Sequence, residues 1–229
     1  MFQKVIFCLL FLFIPLNRAA VNTVANSPFT SSEPVSELAA GEQLFEEMEL
    51  GGTVNFIAFR QAVAGYNRIK EKSKPILTLI DFSKPSTEKR FFVFDMEKKK
   101  LLYSSVVAHG RNSGENYATS FSNQYGSYKS SLGFYLTENT YQGGNGYSLI
   151  LNGLEKGIND KAKARSIVVH GAPYANPSVA ASGRLGRSLG CPALPTKLAR
   201  PIINTIKDGS VMFIYANNPH YLAQSNILH

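Results

Sequence analysis

Cys191 stands in the stretch GRLGRSLGCPALP, residues 183–195, and the chain has one other cysteine, Cys8, inside an apolar N-terminal run. A single remaining thiol cannot form an internal bridge. It is an inert buried residue, an intermolecular link or a nucleophile. His170 precedes it, in RSIVVHGAPYANP. A free thiol titrates near ~8.5, and a neighbouring imidazole can lower that value and stabilise the thiolate. A Cys–His pair is one solution for attack on an amide carbonyl. The oxyanion that develops needs donors, and the backbone N–H groups of Gly190 and Cys191 are the candidates. Gly186 and Gly190 permit a tight turn beside the cysteine, and Pro192 pushes Cys191 toward extended backbone.

These residues must be delivered by a scaffold. From Pro75 onward the runs ILTLIDF, RFFVFDM, KLLYSSVVAHG, SLGFYLT, YSLILNGL, RSIVVHG and VMFIYAN are short, β-branched and aromatic, with Gly, Asn, Ser and Pro between them. They predict a mainly β catalytic domain over 75–216, of sandwich or barrel type. Ile167–Val169 reads as a buried strand that leaves His170 at its end, where a fold presents a side chain at a rim. Helices are expected over 196–207 and 159–165. Upstream, 41–74 reads as a short helical segment. Thr53 or Asn55 caps its second helix, and Phe56, Phe59, Val63, Tyr66 and Ile69 form one apolar stripe. Residues 217–229 read as a C-terminal tail, whose His220 and His229 have no catalytic part.

Other polar residues sit near these elements. His109, in VAHGRNSG, reads as a substrate contact at the same rim or a more distant residue that orients the site, or equally as an ordinary strand-end histidine. Asn123, Tyr125 and Ser127 are placed to line a cleft, although Asn and Ser are also common turn residues. YQGGNGY is glycine-rich but lacks the Lys-Ser/Thr ending of a phosphate loop. Cys191, His170 and His109 lack the paired spacing of a zinc site, so no metal is expected.

Composition narrows the setting. Hydrophobic residues make up 44% of the 229 and charged residues 17%, enough to bury a sizeable core. Residues 1–20, MFQKVIFCLLFLFIPLNRAA, combine Lys4, an apolar run from Val5 to Leu16 and small residues at Ala19-Ala20. This is a signal-peptide pattern, and its apolar run is shorter than the ~20 residues of a membrane span. Residues 21–40, rich in Ser, Pro, Asn and Thr, read as a flexible linker. The expectation is a periplasmic or secreted protein with no stable membrane insertion once the leader is cleaved. Loss of Lys4 and Arg18 lowers the net charge from +8 to about +6, which suits an anionic surface such as a cell wall. No lysine–arginine block or RNA-binding signature supports nucleic acid.

Taken together, VVHGAPY and GRLGRSLGCPALP resemble the murein L,D-transpeptidase catalytic domain family, with its YkuD-like fold. The family signature of His-Gly followed by Ser/Thr-x-Gly-Cys falls on His170-Gly171 and Ser188-Leu189-Gly190-Cys191. The VAHG strand at 107–110, FSNQYGSYKSSLGFY at 121–135, GYSLILNGLEKGIND at 146–160 and the Cys-Pro-Ala-x-Pro ending resemble a divergent branch of it. The resemblance covers roughly 75–216 and implies an α+β, mainly β sandwich with a few peripheral helices. It implies a cofactor-free enzyme acting on peptidoglycan stem peptides. Cys191 would be the nucleophile and His170 the general base and acid, with Ser188 and Gly190 shaping the oxyanion pocket. D-Ala would leave, and an amine on a neighbouring stem, or on a wall-attached protein, would take the acyl group.

The sequence departs from the common family form in two places. Leu189 stands where a histidine is usual, and Pro192-Ala193-Leu194 follow the cysteine where an arginine is usual. Arg184 and Arg187 are the nearest candidates to supply that cation, and with Gly171, Asn123 and His109 they make up the expected substrate-binding set. A hydrolase of the same fold (an L,D-carboxypeptidase or a peptidoglycan amidase) and a non-catalytic wall-binding module are the alternatives.

Overall fold

The computed structural model describes residues 35–229. The leader read at 1–20 and most of the linker read at 21–40 lie outside them. The described chain runs α1 (Val35–Glu47), α2 (Phe56–Arg68), β1 (Ile76–Asp81), β2 (Phe91–Asp95), β3 (Lys100–Ser105), β4 (Gly133–Gly143) and β5 (Gly146–Gly153). It continues through β6 (Val168–Gly171), a 3-10 turn (Pro173–Ala175), α3 (Pro177–Ala180), β7 (Ala193–Leu194), α4 (Thr196–Ile206), β8 (Val211–Tyr215) and α5 (Pro219–Gln224). Among the described residues no helix is long and apolar enough to cross a membrane.

All eight strands belong to one sheet in the order β3-β2-β1-β8-β4-β5-β6-β7. β1 lies parallel to β8 and antiparallel to β2. Every residue of β1, β2 and β8 is buried. Strands covered on both faces read as unbroken apolar runs rather than alternating ones, which is why ILTLI and VMFIY are legible. The glycine-rich YQGGNGY is the hairpin turn between β4 and β5, where Gly143 pairs with Gly146 and Gly146 has φ +74°.

The sheet curls until its ends meet. The chain leaving β3, one edge, forms an antiparallel bridge from Ala108 to Ala193 of β7, the other edge, and a further bridge from Gly110 to Ser188. The Ala108 N–H donates to the Ala193 carbonyl at 2.8 Å, and the Ala193 N–H returns the bond at 3.2 Å. Two helices cover the sheet. The Asn55 side chain caps α2 by accepting the Ile57 and Ala58 N–H groups at 3.0 and 3.3 Å. Phe59 packs edge-on to Phe94 with centroids 5.1 Å apart. Gly65 lets the Phe134 ring lie against the helix, since a Cβ there would come within 2.0 Å of it. On α4, Ala199, Ile202, Ile203 and Ile206 are buried, the spacing of one helical face.

Three expectations are corrected. α1 begins at Val35, inside the stretch read as linker. Residues 159–165 form turns rather than a helix. There the Asn159 side chain accepts the Glu155 N–H and donates to the Leu132 and Phe134 carbonyls, and the Asp160 side chain accepts the Gly157 N–H. Side chains thus take over bonds that a helix would make between peptide groups. The C-terminal tail is integral. Tyr221, Ser225 and Leu228 are buried, and Tyr221 and Ser225 hydroxyls bond the buried Glu155 carboxyl, which also accepts the Phe134 N–H at 2.7 Å.

Candidate active site

β6 lies between β5 and β7, antiparallel to the first and parallel to the second, with His170 paired to Ala193. Cys191, two residues before Ala193, comes level with Val168, whose N–H points at Sγ from 3.5 Å. The thiol itself is directed at the Ser166 carbonyl, 3.6 Å away. His170 therefore stands in β6, and Cys191 lies in the turn that leads into the neighbouring β7. Among the described residues no hydrogen bond joins them.

Each is instead held by its own surroundings. His170 Nδ1 lies 3.1 Å from the Gly171 carbonyl. A carbonyl only accepts, so Nδ1 carries the proton and Nε2 keeps its lone pair. The Tyr174 ring packs beside the imidazole, its centroid 6.5 Å away. Burial pulls the imidazole below its ordinary value, with the Gly171 bond opposing it. Cys191 is 7% exposed, and burial pushes its thiol up, against the opposing influence of the Val168 N–H and of Arg165. Both shifts favour the neutral forms of the two groups and run against the thiolate that a simple Cys–His reading suggests.

The turn that presents Cys191 is tightly determined. Gly190 has φ +127°, a region that essentially requires glycine, and a Cβ there would come within 2.8 Å of Ile167 and 3.0 Å of the Lys129 carbonyl. Ser188 Oγ accepts the Gly190 N–H at 3.1 Å and donates to the Cys191 carbonyl at 2.6 Å. This corrects the expected oxyanion donors. The Gly190 N–H is already engaged, and Ser188 spends its hydroxyl on the turn. The Cys191 N–H has no acceptor among the described residues, and it remains as the donor beside the sulfur.

The turn is stitched to the segment after β3. The Ser188 N–H donates to the His109 carbonyl and the Arg111 N–H to the Ser188 carbonyl, at 2.9 and 2.8 Å. His109 is fully buried, which overturns its reading as a substrate contact. Its Nδ1 accepts Arg90 Nη2 at 2.8 Å and its Nε2–H donates to the Gly114 carbonyl at 3.3 Å. Burial and the Arg90 charge hold this imidazole down to about 4. Arg90 is fully buried too and donates to the Val107 carbonyl from Nε and Nη2. Together they form a polar pillar under the strand whose backbone grips Ser188.

The remaining expected residues are tied elsewhere. Arg184 and Arg187 both pair with Glu115, at 3.0 and 2.7 Å, and Arg187 also donates to the Arg111 and Gly114 carbonyls. Gly171 supplies the carbonyl that orients His170. It also lets α4 approach, since a Cβ there would meet that of Ala199 at 2.8 Å. Asn123 bonds the Asp160 side chain and the Lys161 N–H and lines a cavity of about 210 Å³ with Tyr221 and His220. A larger cavity of about 660 Å³ lies among α1, α2 and residues 96–99. Neither is lined by Cys191 or His170.

Two residues that sequence reasoning missed belong here. Ser130 Oγ accepts the Gly110 N–H and donates to the Gly190 carbonyl, both at 3.0 Å. Arg165 reaches across the same region from the turn before β6. Ser130 lies within FSNQYGSYKSSLGFY, 121–135, and Arg165 opens RSIVVHGAPYANP; neither was singled out, because their partners are distant in sequence.

A search among curated proteins finds no match. Among solved structures the chain is similar to an L,D-transpeptidase from Mycobacterium smegmatis at 13% identity and TM-score 0.38, covering 62% of this chain and 59% of that one. It is similar to L,D-transpeptidase from Stackebrandtia nassauensis at 14% and 0.38, covering 80% and 79%. For L,D-transpeptidase 3 from Mycobacterium tuberculosis the values are 14% and 0.39, with 62% and 61% covered. The chain thus spans about 59% of the length of the first of these structures. The family model of the L,D-transpeptidase catalytic domain matches residues 51–215. That match takes in α2, all eight strands and the Cys191 turn, and the chain belongs to the L,D-transpeptidase catalytic domain family.

Proposed function

We propose that the protein is an exported cysteine acyltransferase acting on peptidoglycan stem peptides. The observation that carries the reading is the register that pairs His170 of β6 with Ala193 of β7, two residues beyond Cys191. His170 holds its Nδ1 proton on Gly171 and leaves Nε2 basic, and Cys191 sits in a glycine-determined turn with its own N–H unspent. The family supports peptidoglycan as the substrate class, and the N-terminal sequence supports export.

The reaction follows from these groups. Sγ turns from the Ser166 carbonyl toward His170, a rotation about one staggered side-chain bond. Nε2 takes the thiol proton as Sγ bonds to the carbonyl carbon of the residue that precedes D-Ala. The Cys191 N–H stabilises the oxyanion. The imidazolium then protonates the leaving nitrogen as the C–N bond breaks, D-Ala departs and a thioester remains. An acceptor amine attacks the thioester, gives its proton to Nε2, and the thiol is restored. Water in place of the amine yields a carboxypeptidase.

The test is incubation of purified protein, and of Cys191→Ala, with disaccharide-tetrapeptide muropeptides, with products followed by mass spectrometry. A dimer lacking one D-Ala, absent with Cys191→Ala, is the expected result. Tripeptide alone would make it a carboxypeptidase. Turnover retained by Cys191→Ala would end the reading.

A further inference from the structure

The cation usual directly after Cys191 in the family is missing from the sequence, and Arg184 and Arg187 share the single Glu115 carboxylate. A different arginine occupies the region. Arg165 Nη1 donates to the Ser122 carbonyl at 2.8 Å and to Ser131 Oγ at 2.6 Å. Its Nη2 donates to the Lys129 carbonyl at 2.7 Å and to Ser127 Oγ at 3.2 Å. All four acceptors are neutral, and among the described residues no carboxylate pairs with it. The guanidinium is planar and permanently charged, so four bonds fix the position of a full positive charge.

That position borders the Cys191 turn. Nη2 comes within 3.6 Å of the place a Cβ on Gly190 would take, and Gly190 immediately precedes Cys191. The next residue, Ser166, provides the carbonyl on which the thiol rests. Arg165 thus borders the Cys191 turn through Gly190 on one side and through its own chain neighbour on the other.

We propose that Arg165 is the positioning residue that supplies the positive charge of the Cys191 site, held there by the loop 122–131 rather than by a counter-ion. It acts whenever negative charge is on the sulfur, as the thiolate forms and again as it leaves the thioester. The proposal rests on Cys191 being the nucleophile. Burial raises the thiol, and the arginine is the nearby charge that opposes it. In return Cys191 is among the groups favouring the charged arginine.

The experiment titrates the thiol by its ultraviolet thiolate absorbance in a Cys8→Ser chain, with the same chain carrying Cys191→Ala as the blank. Arg165→Gln removes the charge and keeps polar atoms near the same acceptors. Its midpoint should rise by about one pH unit, roughly tenfold less thiolate at neutral pH. Arg165→Lys keeps the charge and should move less. An unchanged midpoint in Arg165→Gln, or equal shifts in the two variants, would overturn the proposal. Should Arg165→Gln fail to fold, Ser127→Ala combined with Ser131→Ala keeps the arginine but removes two of its anchors. The midpoint should again rise, and no movement would overturn it. The titration reads Arg165 whether or not the enzyme turns over, so loss of the functional reading, seen as turnover by Cys191→Ala, is a separate outcome.

Discussion

Ser188 Oγ donates to the carbonyl of Cys191 at 2.6 Å while accepting the Gly190 N–H. One hydroxyl therefore closes the turn from both sides and leaves the Cys191 N–H without an acceptor among the described residues. Ser188→Ala removes both bonds at a buried position. A buried partner left unsatisfied costs about 1–3 kcal/mol, and the expected result is a fall in kcat of about tenfold or more with KM nearly unchanged. Ser188→Thr keeps the hydroxyl and should restore most of the rate. Steady-state kinetics of the two variants is the check, and equal losses would remove Ser188 from this role.

Gly190→Ala tests the same turn through its backbone. The residue combines a left-handed φ with close approach to Ile167 and Lys129. Forcing a side chain into such a conformation costs about 1–3 kcal/mol. A lower midpoint in thermal unfolding is expected, along with loss of turnover in the protein that remains folded.

The pH dependence of kcat/KM should show His170 directly. Burial lowers its imidazole, so the base remains unprotonated into mildly acidic solution. The acid limb should fall below the ordinary imidazole value of ~6.5. A limb at or above that value would mean that a group other than a buried neutral His170 limits the reaction.

His109 makes a prediction about stability instead. Its folded-state value is about 4, against ~6.5 for an unfolded imidazole. As pH falls through this window the unfolded chain takes up a proton that the folded chain refuses, so its contribution is full above ~6.5 and lost toward 4. The loss is at most about 3 kcal/mol. Glu155 has the opposite sign, since burial raises its carboxyl and stability from it declines as pH rises past the ordinary carboxylate range. Comparing denaturant unfolding of wild type and His109→Gln across this range isolates the histidine, and the variant should show the flatter profile.

Deleting residues 219–229 takes Tyr221 and Ser225 from Glu155 and leaves a buried carboxyl with only the Phe134 N–H and its remaining surroundings. A loss of several degrees in thermal midpoint is expected, and no loss would return the segment to the status of a loose tail.

The strands were legible because their signals are local. Strands buried on both faces carry unbroken apolar runs, and an Asn before a periodic stripe announces α2. β7 was not legible, since two residues give no period. The turns at 155–166 were misread because their order comes from Glu155, Asn159 and Asp160 side chains bonding groups distant in the chain. His109 looked like a rim residue because nothing near it in sequence reveals that Arg90 lies against its ring. Arg165 was missed for the same reason: its four partners lie in residues 122–131, and only folding brings them beside Cys191.

The bridge between Ala108 and Ala193 has a consequence for the order in which the molecule forms. It is a contact between chain segments far apart in sequence, whose loop-closure entropy must be met before the contact yields anything. The grip of His109 and Arg111 on Ser188 comes from the same segment. A chain that has paired its hairpins but not yet closed this ring holds a thiol and an imidazole without the turn that makes them a site. The arrangement around Cys191 therefore depends on a closure that hairpin pairing alone does not provide, and opening the ring removes it.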